Sequence, residues 1–298
     1  MRLTQLLNGP TVTRAPVREA LDRVEELRGL DTVVAPVQRV VRGLPLGSAR
    51  DALRGTWLGH PLHPSLVQVP VGAWTSAAVL DLVPGQRRAA GTLVAVGLAG
   101  ALPAALVGWV DWSEQHERQL RVGLVHATAN ATGILLYTAS LAARLRGRSG
   151  LGRALGFAGL GAVSFGGVLG GHLAFRQATG SNHAEGVAHL VEPGWHELGP
   201  LTEFAVGEPV QRLLHGVPLF VVRENEDTVR VLADTCSHAS GPLSQGKIAD
   251  GCVECPWHGS RFRLADGTVA SGPATSPQPV FETRIIDGTL SVRLPSEA

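Results

Sequence analysis

Cys236-Ser-His238 and Cys255-Pro-Trp-His258 each place one thiol and one imidazole a residue or two apart. Together they supply two sulfurs and two nitrogens. Two thiolates can hold one iron and two imidazoles a second, with sulfide bridging the pair. Histidine at one iron leaves such a cluster less negative than four thiolates would, which raises its reduction potential. A second arrangement draws on the same residues: Cys252-Val-Glu-Cys255 is a C-x-x-C pair, and with His238 or His258 it offers tetrahedral zinc. In the iron reading Cys252 is a spare thiol on the strand that leads into the second stretch.

The elements that must position these side chains read as β-structure from about Gly194 onward. Pro218 to Val222 and Thr228 to Leu232 are short Val- and Leu-rich runs. Asp287-Gly288 separates two apolar-rich runs, 280–286 and 289–294, and predicts a two-residue hairpin. Asp250-Gly251 and Asp266-Gly267 mark further turns. With Cys236-Ser-His238, Cys255-Pro-Trp-His258-Gly259 and a later Gly272-Pro273-Ala-Thr-Ser-Pro-Gln-Pro279, the chain from about 195 to 295 resembles the Rieske family. The resemblance implies a [2Fe-2S] cluster held by Cys236, His238, Cys255 and His258. It implies that the Gly272-Pro273 segment is the proline loop that covers the cluster. Ser260 is then a donor to a bridging sulfide. Phe262 stands where respiratory members carry a Tyr that bonds a ligand sulfur, and Gly241 and Trp257 stand where those members carry a disulfide. Fewer donors stabilise the reduced cluster less, so a lower-potential, ferredoxin-type member is expected. Oxygenase members need a second iron on two His and a carboxylate. The residues after His258 contain no histidine, so the expected role is that of an electron carrier between a reductase and an oxygenase, desaturase or quinone-linked partner, with redox sensing or an assembly role as the alternative.

The middle of the chain predicts a membrane all-α four-helix bundle, joined to the C-terminal all-β Rieske domain. Leu66–Val83, Ala89–Val110, Val122–Ala143 and Ala154–Phe175 are long apolar segments with few charges, and about 20 such residues cross the hydrocarbon core as a helix. Loops of about five to twelve residues favour an up-down order. Gly166/Gly170 and Gly167/Gly171 sit four apart, a spacing that lets a neighbouring helix approach. In that order His60, His63, Asp111, His126 and His172 share the face from which the C-terminal domain emerges. Residues 50–180, with Gly59-His-Pro-Leu-His63-Pro, Trp109-Val-Asp111-Trp, His126 and Gly-Gly-His172, resemble the DUF2231 family of four-span bacterial membrane proteins. Ionisable groups at such depth are functional candidates: haem b on His126 and His172, a quinone or proton site on His60, His63 and Asp111, or a purely structural polar cluster.

The organisation expected is 1–59 as an amphipathic helical segment, 60–176 as the membrane domain, 177–194 as a linker and 195–298 as the Rieske domain. Val17, Leu21, Val24, Leu27 and Leu30, then Val33, Val37, Val40 and Leu44, form stripes at helical spacing, with Pro36 in the first turn of the second helix. The first dozen residues lack a secretory leader pattern. Lys+Arg 26 against Asp+Glu 25 leaves a net charge of +1, which gives no sign of a nucleic-acid partner; lipid and a redox protein are the partners expected. Arg87, Arg88, Arg144, Arg146, Arg148 and Arg153 lie in the loops away from the Rieske domain, against Arg50, Arg54, Arg118, Arg121 and Arg176 on its side. That balance leans toward an external domain. The absence of the disulfide and of an export signal points to the cytoplasm, the location expected here.

Overall fold

The computed structural model describes residues 16–295, so the first dozen residues read above lie outside them. Helix α1 (Pro16–Glu26) passes through a short 3-10 step into α2 (Asp31–Arg42). Leu21 and Val24 pack against Val122, Leu169 and Leu173, while Leu30, Val34 and Val37 pack against Trp109, Trp112 and Leu120. Part of the amphipathic stripe therefore packs on the helical domain itself, while Leu27, Val33, Val40 and Leu44 are exposed. Helix α2 begins at Asp31, so Pro36 falls inside it and not in its first turn. Arg121 fixes that start: its Nε and Nη2 donate to the two carboxylate oxygens of Asp31 at 2.7 and 2.8 Å. These bonds hold the Asp31 carboxyl below its usual range.

Next come α3 (Ala49–Arg54), α4 (His63–Leu66), α5 (Gln68–Leu82), α6 (Arg87–Trp112), α7 (Glu117–Leu145) and α8 (Ser149–Gly171), which runs into one π turn at His172–Arg176. Helices α6 and α7 extend past the expected apolar segments at both ends, α8 begins earlier than expected, and α5 lies within its segment. Residues 83–86, 113–116 and 146–148 suffice to join them, so the connections are shorter than the sequence predicted. Among the described residues two helices are long and apolar enough to cross a membrane, Arg87–Trp112 and Ser149–Arg176. Helix α5 has only 15 residues. Helix α7 has 29, but Glu117, Arg118, Arg121, His126 and Asn130 make its first half polar.

Small residues set the packing. Gly97 leaves room for the Trp74 indole, which stacks on Tyr137 with ring centroids 4.2 Å apart. On α8, Gly166 faces Asn130 and Gly170 faces His126, both on α7. Gly167 has no neighbour within 4 Å, and Gly171 meets only Phe175. Of the two glycine pairs, the first makes the helix contact and the second does not. At the end of the bundle formed by residues 80–87 and 144–153, Arg144 on α7 donates to Asp81 on α5 at 2.8 Å, both side chains under a tenth exposed.

After α9 (Val187–Leu190) the chain is β-structure. A six-stranded antiparallel sheet has the order β1 (His196–Pro200), β10 (Thr289–Arg293), β9 (Val280–Ile286), β4 (Val229–Ala233), β3 (Val217–Arg223), β2 (Val210–Leu214). A four-stranded sheet runs β5 (Lys247–Ala249), β6 (Cys252–Glu254), β7 (Arg261–Arg263), β8 (Val269–Ser271). The Asp287-Gly288 hairpin forms as expected, both residues at positive φ, the backbone that a twisted two-residue turn requires. Two apolar cores result. One is built on Leu219, Val221, Val231, Phe281 and Leu290, and takes in Val187 and Val191 from the segment before β1. The other is built on Phe220, Leu232, Leu243, Val253 and Phe262 and includes Cys236 and Cys255.

The Arg144–Asp81 pair is the most exposed to test, because a lone buried charge is costly. Asp81→Ala is expected to destabilise the helical domain by about 3–5 kcal/mol, and Asp81→Ala with Arg144→Leu to recover most of that loss. Thermal unfolding of the purified protein in detergent measures both.

Candidate functional site

Three loops at one end of the β domain converge. The first, 234–244, leaves β4; the second, 255–260, joins β6 to β7; the third, 272–279, joins β8 to β9. The first is folded back on itself by Cys236 N–H to Gly241 O at 2.8 Å and Ser240 N–H to Cys236 O at 2.9 Å. The buried Asp234 carboxylate pins its far side, accepting from Ser244 N–H at 2.6 Å and Ser244 Oγ at 3.0 Å. The second closes through Cys255 N–H to Ser260 O at 2.8 Å and Gly259 N–H to Cys255 O at 3.0 Å.

The third loop ties the other two together. Gln278, buried, accepts from Ser237 N–H at 3.1 Å and donates to Ala233 O at 2.8 Å. Ser237 Oγ donates to Ser276 O, and Ala274 N–H donates to Ser260 Oγ at 3.1 Å. That bond leaves the Ser260 hydroxyl proton free for another acceptor. Gly272 has φ +97, and a Cβ there would stand 2.7 Å from both Gly259 O and Ser260 Cα. Only glycine allows the third loop this close. Pro273 and Phe262 are buried beside it.

The four side chains expected to act together form two close pairs. The Cys236 and Cys255 thiols are hydrogen-bonded neighbours, and the His238 and His258 rings lie 5.1 Å apart at a steep angle. Bonding with Cys255, followed by burial, pushes the Cys236 thiol up. The same pairing, with the backbone N–H groups of Trp257 and His258, brings Cys255 down to about 7. Burial, then the neighbouring His258, pushes His238 down to about 3; burial, then His116, pushes His258 to about 4. Both imidazoles are neutral at pH 7, the state metal ligation needs. His238 Nδ1 is buried with no hydrogen-bond partner, a cost that a bound metal would remove. Among the described residues no three His, Cys, Asp or Glu side chains converge on one point, as tetrahedral zinc would require. A pair of thiols and a pair of imidazoles suits two irons sharing sulfides, each iron taking two protein ligands. Gly241 and Trp257 do face each other: a Cβ on Gly241 would lie 3.1 Å from the indole and 2.7 Å from Cys255 Sγ.

The helical-domain candidates separate. His63 Nδ1 bonds Ala104 O at 2.9 Å, His126 Nδ1 bonds Gly166 O at 2.7 Å, and their ring centroids are 6.3 Å apart. His172 Nε2 instead bonds Glu25 of α1 at 2.6 Å, and His60 is exposed with its Nδ1 on Pro61 O. Asp111, near the end of α6, is reached by the charge of Arg54. One group was not foreseen: Asp51, Arg54, Glu114 and His116 of the helical domain lie against the β-domain loops. Gly272 N–H donates to Asp51 at 3.3 Å, Arg54 bridges Asp51 and Glu114 at 3.0 and 2.9 Å, and the His116 ring lies 4.9 Å from that of His258. In the sequence these are ordinary charged residues, and nothing in their spacing marks them.

A two-sheet β domain that presents paired Cys/His loops under a third loop defines an iron–sulfur protein of the Rieske type. The chain belongs to the Rieske [2Fe-2S] domain family over residues 194–282, joined to a domain at residues 59–183 that matches a family described as predicted membrane protein (DUF2231). It is 38% identical over 100 residues to the anthranilate 1,2-dioxygenase ferredoxin subunit of Burkholderia cepacia, which covers 34% of this chain and 92% of that one. It is 39% identical over 75 residues to ferredoxin CarAc of Metapseudomonas resinovorans, covering 25% and 69%. Among solved structures, the ferredoxin of carbazole 1,9a-dioxygenase from Nocardioides aromaticivorans matches with 24% identity and a TM-score of 0.32, covering 34% of this chain and 98% of that one.

Two outcomes follow from the geometry. Gly272→Ala is expected to lower the iron content of the purified protein while the β domain stays folded, as read by metal analysis and circular dichroism. In metal-free protein, one thiolate is expected to form as pH rises through about 7, below the ordinary thiol value of about 8.5, because Cys255 is stabilised as the anion. Ultraviolet thiolate absorbance reports it, and Cys255→Ser abolishes that step.

Proposed function

We propose that this chain is a membrane-anchored Rieske-type iron–sulfur protein that passes single electrons between a reductase and an oxygenase-type partner. Cys236 and Cys255 hold one iron of the cluster and His238 and His258 the other. When bound, the cluster supplies reversible one-electron chemistry. The residues around it set its potential and keep water out. Backbone N–H groups of His238 and Ala239 point at Cys236 Sγ, and those of Trp257 and His258 at Cys255 Sγ; these donors stabilise the thiolates and the reduced state. Ser260 adds a donor, Phe262 adds none, and Gly272 and Pro273 close the loop over the site. The observation that carries the reading is the pairing of two thiols with two neutral imidazoles, one of which has an orphaned buried nitrogen. The dioxygenase ferredoxin relatives support the electron-carrier role.

The bundle is read as the anchor. Leu82, Leu102, Leu135, Phe165 and Phe175 are exposed on its outer surface, where lipid would cover them, and a four-span arrangement accommodates the short α5 and the polar α7 beside α6 and α8. We place the β domain on the cytoplasmic side, in keeping with the absence of a disulfide among the described cysteines. A quinone or proton site is supported at His63 and His126 by the 6.3 Å between their rings; His172 is engaged by Glu25, and no observation speaks for haem b. Redox sensing by the bundle is the alternative reading, favoured by the contact of His116 with His258.

Purified anaerobically in mild detergent, the protein is expected to give the paramagnetic signal of a reduced Rieske cluster. Its potential is expected near the lower end of the Rieske range, about −150 mV. A titration in the high range of quinol-oxidising members would refute the argument from Phe262, and iron-free protein would refute the function.

A further inference from the structure

Away from the cluster loops, the far end of the bundle holds a cavity of about 420 Å³. It lies between the end of α5, the 83–86 turn and the starts of α6 and α8, and Asp81, Arg87, Arg144, Ser149 and Arg153 line it. Helix α6 separates this end from the Glu114–His116 corner by 26 residues, roughly 40 Å at helical rise. The cavity therefore has no part in the iron–sulfur site.

Its charges do not balance. Across residues 79–92 and 142–157 Asp81 is the lone acid against six arginines, and that acid is already taken. Arg144 donates to it at 2.8 Å and to Ser140 Oγ at 3.2 Å, with both charged side chains under a tenth exposed. Arg153 reaches only the Asp81 carbonyl, at 3.3 Å, and Arg87 is exposed. Among the described residues neither Arg87 nor Arg153 enters an ion pair, and nor do Arg88, Arg146 and Arg148 outside the cavity. The cavity thus has a neutralised floor and two uncompensated guanidiniums on its walls. Ser149 and Gly150, in the first turn of α8, add main-chain N–H groups that the helix itself leaves without partners. Guanidinium groups bind phosphate through paired N–H donors, so this lining is complementary to a phosphate oxygen cluster.

The surroundings of the cavity are apolar. Leu82 and Val83 line it, Leu82 and Leu145 are 71% and 80% exposed, and Val79 and Leu151 are exposed beside them. A free phosphate makes no use of such side chains, whereas acyl chains do. Depth agrees with this. A hydrocarbon core of about 30 Å is shorter than α6, so with the middle of α6 in lipid its first residue, Arg87, stands at the level of the headgroups. We propose that the cavity binds the phosphate of an anionic phospholipid, with Arg87 and Arg153 on the headgroup and the exposed leucines against its chains. The inference rests on the membrane-anchor reading above and is independent of the cluster. It matches a basic pocket between helices to an acidic headgroup, and it gives the arginines of this end a task that the electron-carrier role leaves open.

The test uses the full-length protein in non-ionic detergent, titrated with short-chain phosphatidylglycerol and read by native mass spectrometry. Arg87→Gln with Arg153→Gln removes both unpaired guanidiniums of the cavity. Arg146→Gln with Arg148→Gln removes the same charge outside it. The first pair of substitutions is expected to weaken phosphatidylglycerol binding about tenfold or more and the second much less, with the helical circular dichroism of both unchanged. Phosphatidylcholine of the same chain length is expected to bind more weakly than phosphatidylglycerol, and inorganic phosphate at equal concentration to displace little of the lipid. Equal losses in the two double variants would show diffuse charge attraction, and equal binding of phosphatidylcholine would show general adhesion of lipid. Displacement by phosphate at equal concentration would show a plain anion site. Each of these three results overturns the inference. A chain that stays in aqueous solution when detergent is withdrawn would instead sink the anchor reading, so the two failures are distinguishable.

Discussion

The structure depends on holding a pair of thiols and a pair of imidazoles in loops, where the backbone has no ladder to stabilise it. Loops that carry such side chains pay in conformational freedom, roughly 1–2 kcal/mol per ordered residue. Here the restraint comes from buried polar side chains that bond backbone groups. Gln278 joins the first loop to the third, Asp234 closes the first on itself, and Ser260 joins the second to the third. Each bond contributes about 1 kcal/mol in isolation, but all lie within one buried network, so loosening one loop loosens the others. The two sheets beneath supply the rigid floor, and Cys236 and Cys255 themselves belong to one of the two apolar cores.

How much of this was legible depended on whether the signal was local. The Cys/His pairs, the Asp287-Gly288 turn and the Val-rich strands are encoded by neighbours in sequence, and they were readable. So was the amphipathic stripe of α1 and α2, although what it packs against was not. The long apolar segments were legible as helices but less so as spans. Hydrophobicity is shared across a bundle, so α5 is short and α7 polar on its first half while α6 and α8 carry the long apolar surfaces. The glycine spacing on α8 was half informative: a repeat of four fixes which residues share a face, but not which of two adjacent faces meets the partner helix.

The histidines of the helical domain show the same limit from another side. Five ionisable residues near one end of the bundle looked like one cluster. The tertiary structure divides them among different tasks. His172 pins α1 through Glu25, His63 and His126 bond carbonyls of α6 and α8, and His60 turns to its own neighbour. A buried imidazole can satisfy one nitrogen on a helix carbonyl and still leave its ring available. The carbonyl bonds therefore account for the placement of His63 and His126 without exhausting their chemistry.

The contact between domains is the part no sequence pattern could disclose. Asp51, Arg54, Glu114 and His116 come from two separate stretches of a helical domain, and only the fold sets them beside Gly272 and His258. Arg54 and Glu114 are both nearly buried, and removing such charges from water is expensive unless they are paired and further bonded. Each meets that condition: Arg54 has two carboxylates, and Glu114 has two guanidiniums with the Ser113 hydroxyl beside it. A buried ion pair of this kind contributes little net stability over an apolar contact, so its value lies in fixing geometry. In this chain that geometry joins a metal-binding β domain to one end of a helical bundle, and places a histidine of the bundle one ring's distance from a candidate ligand.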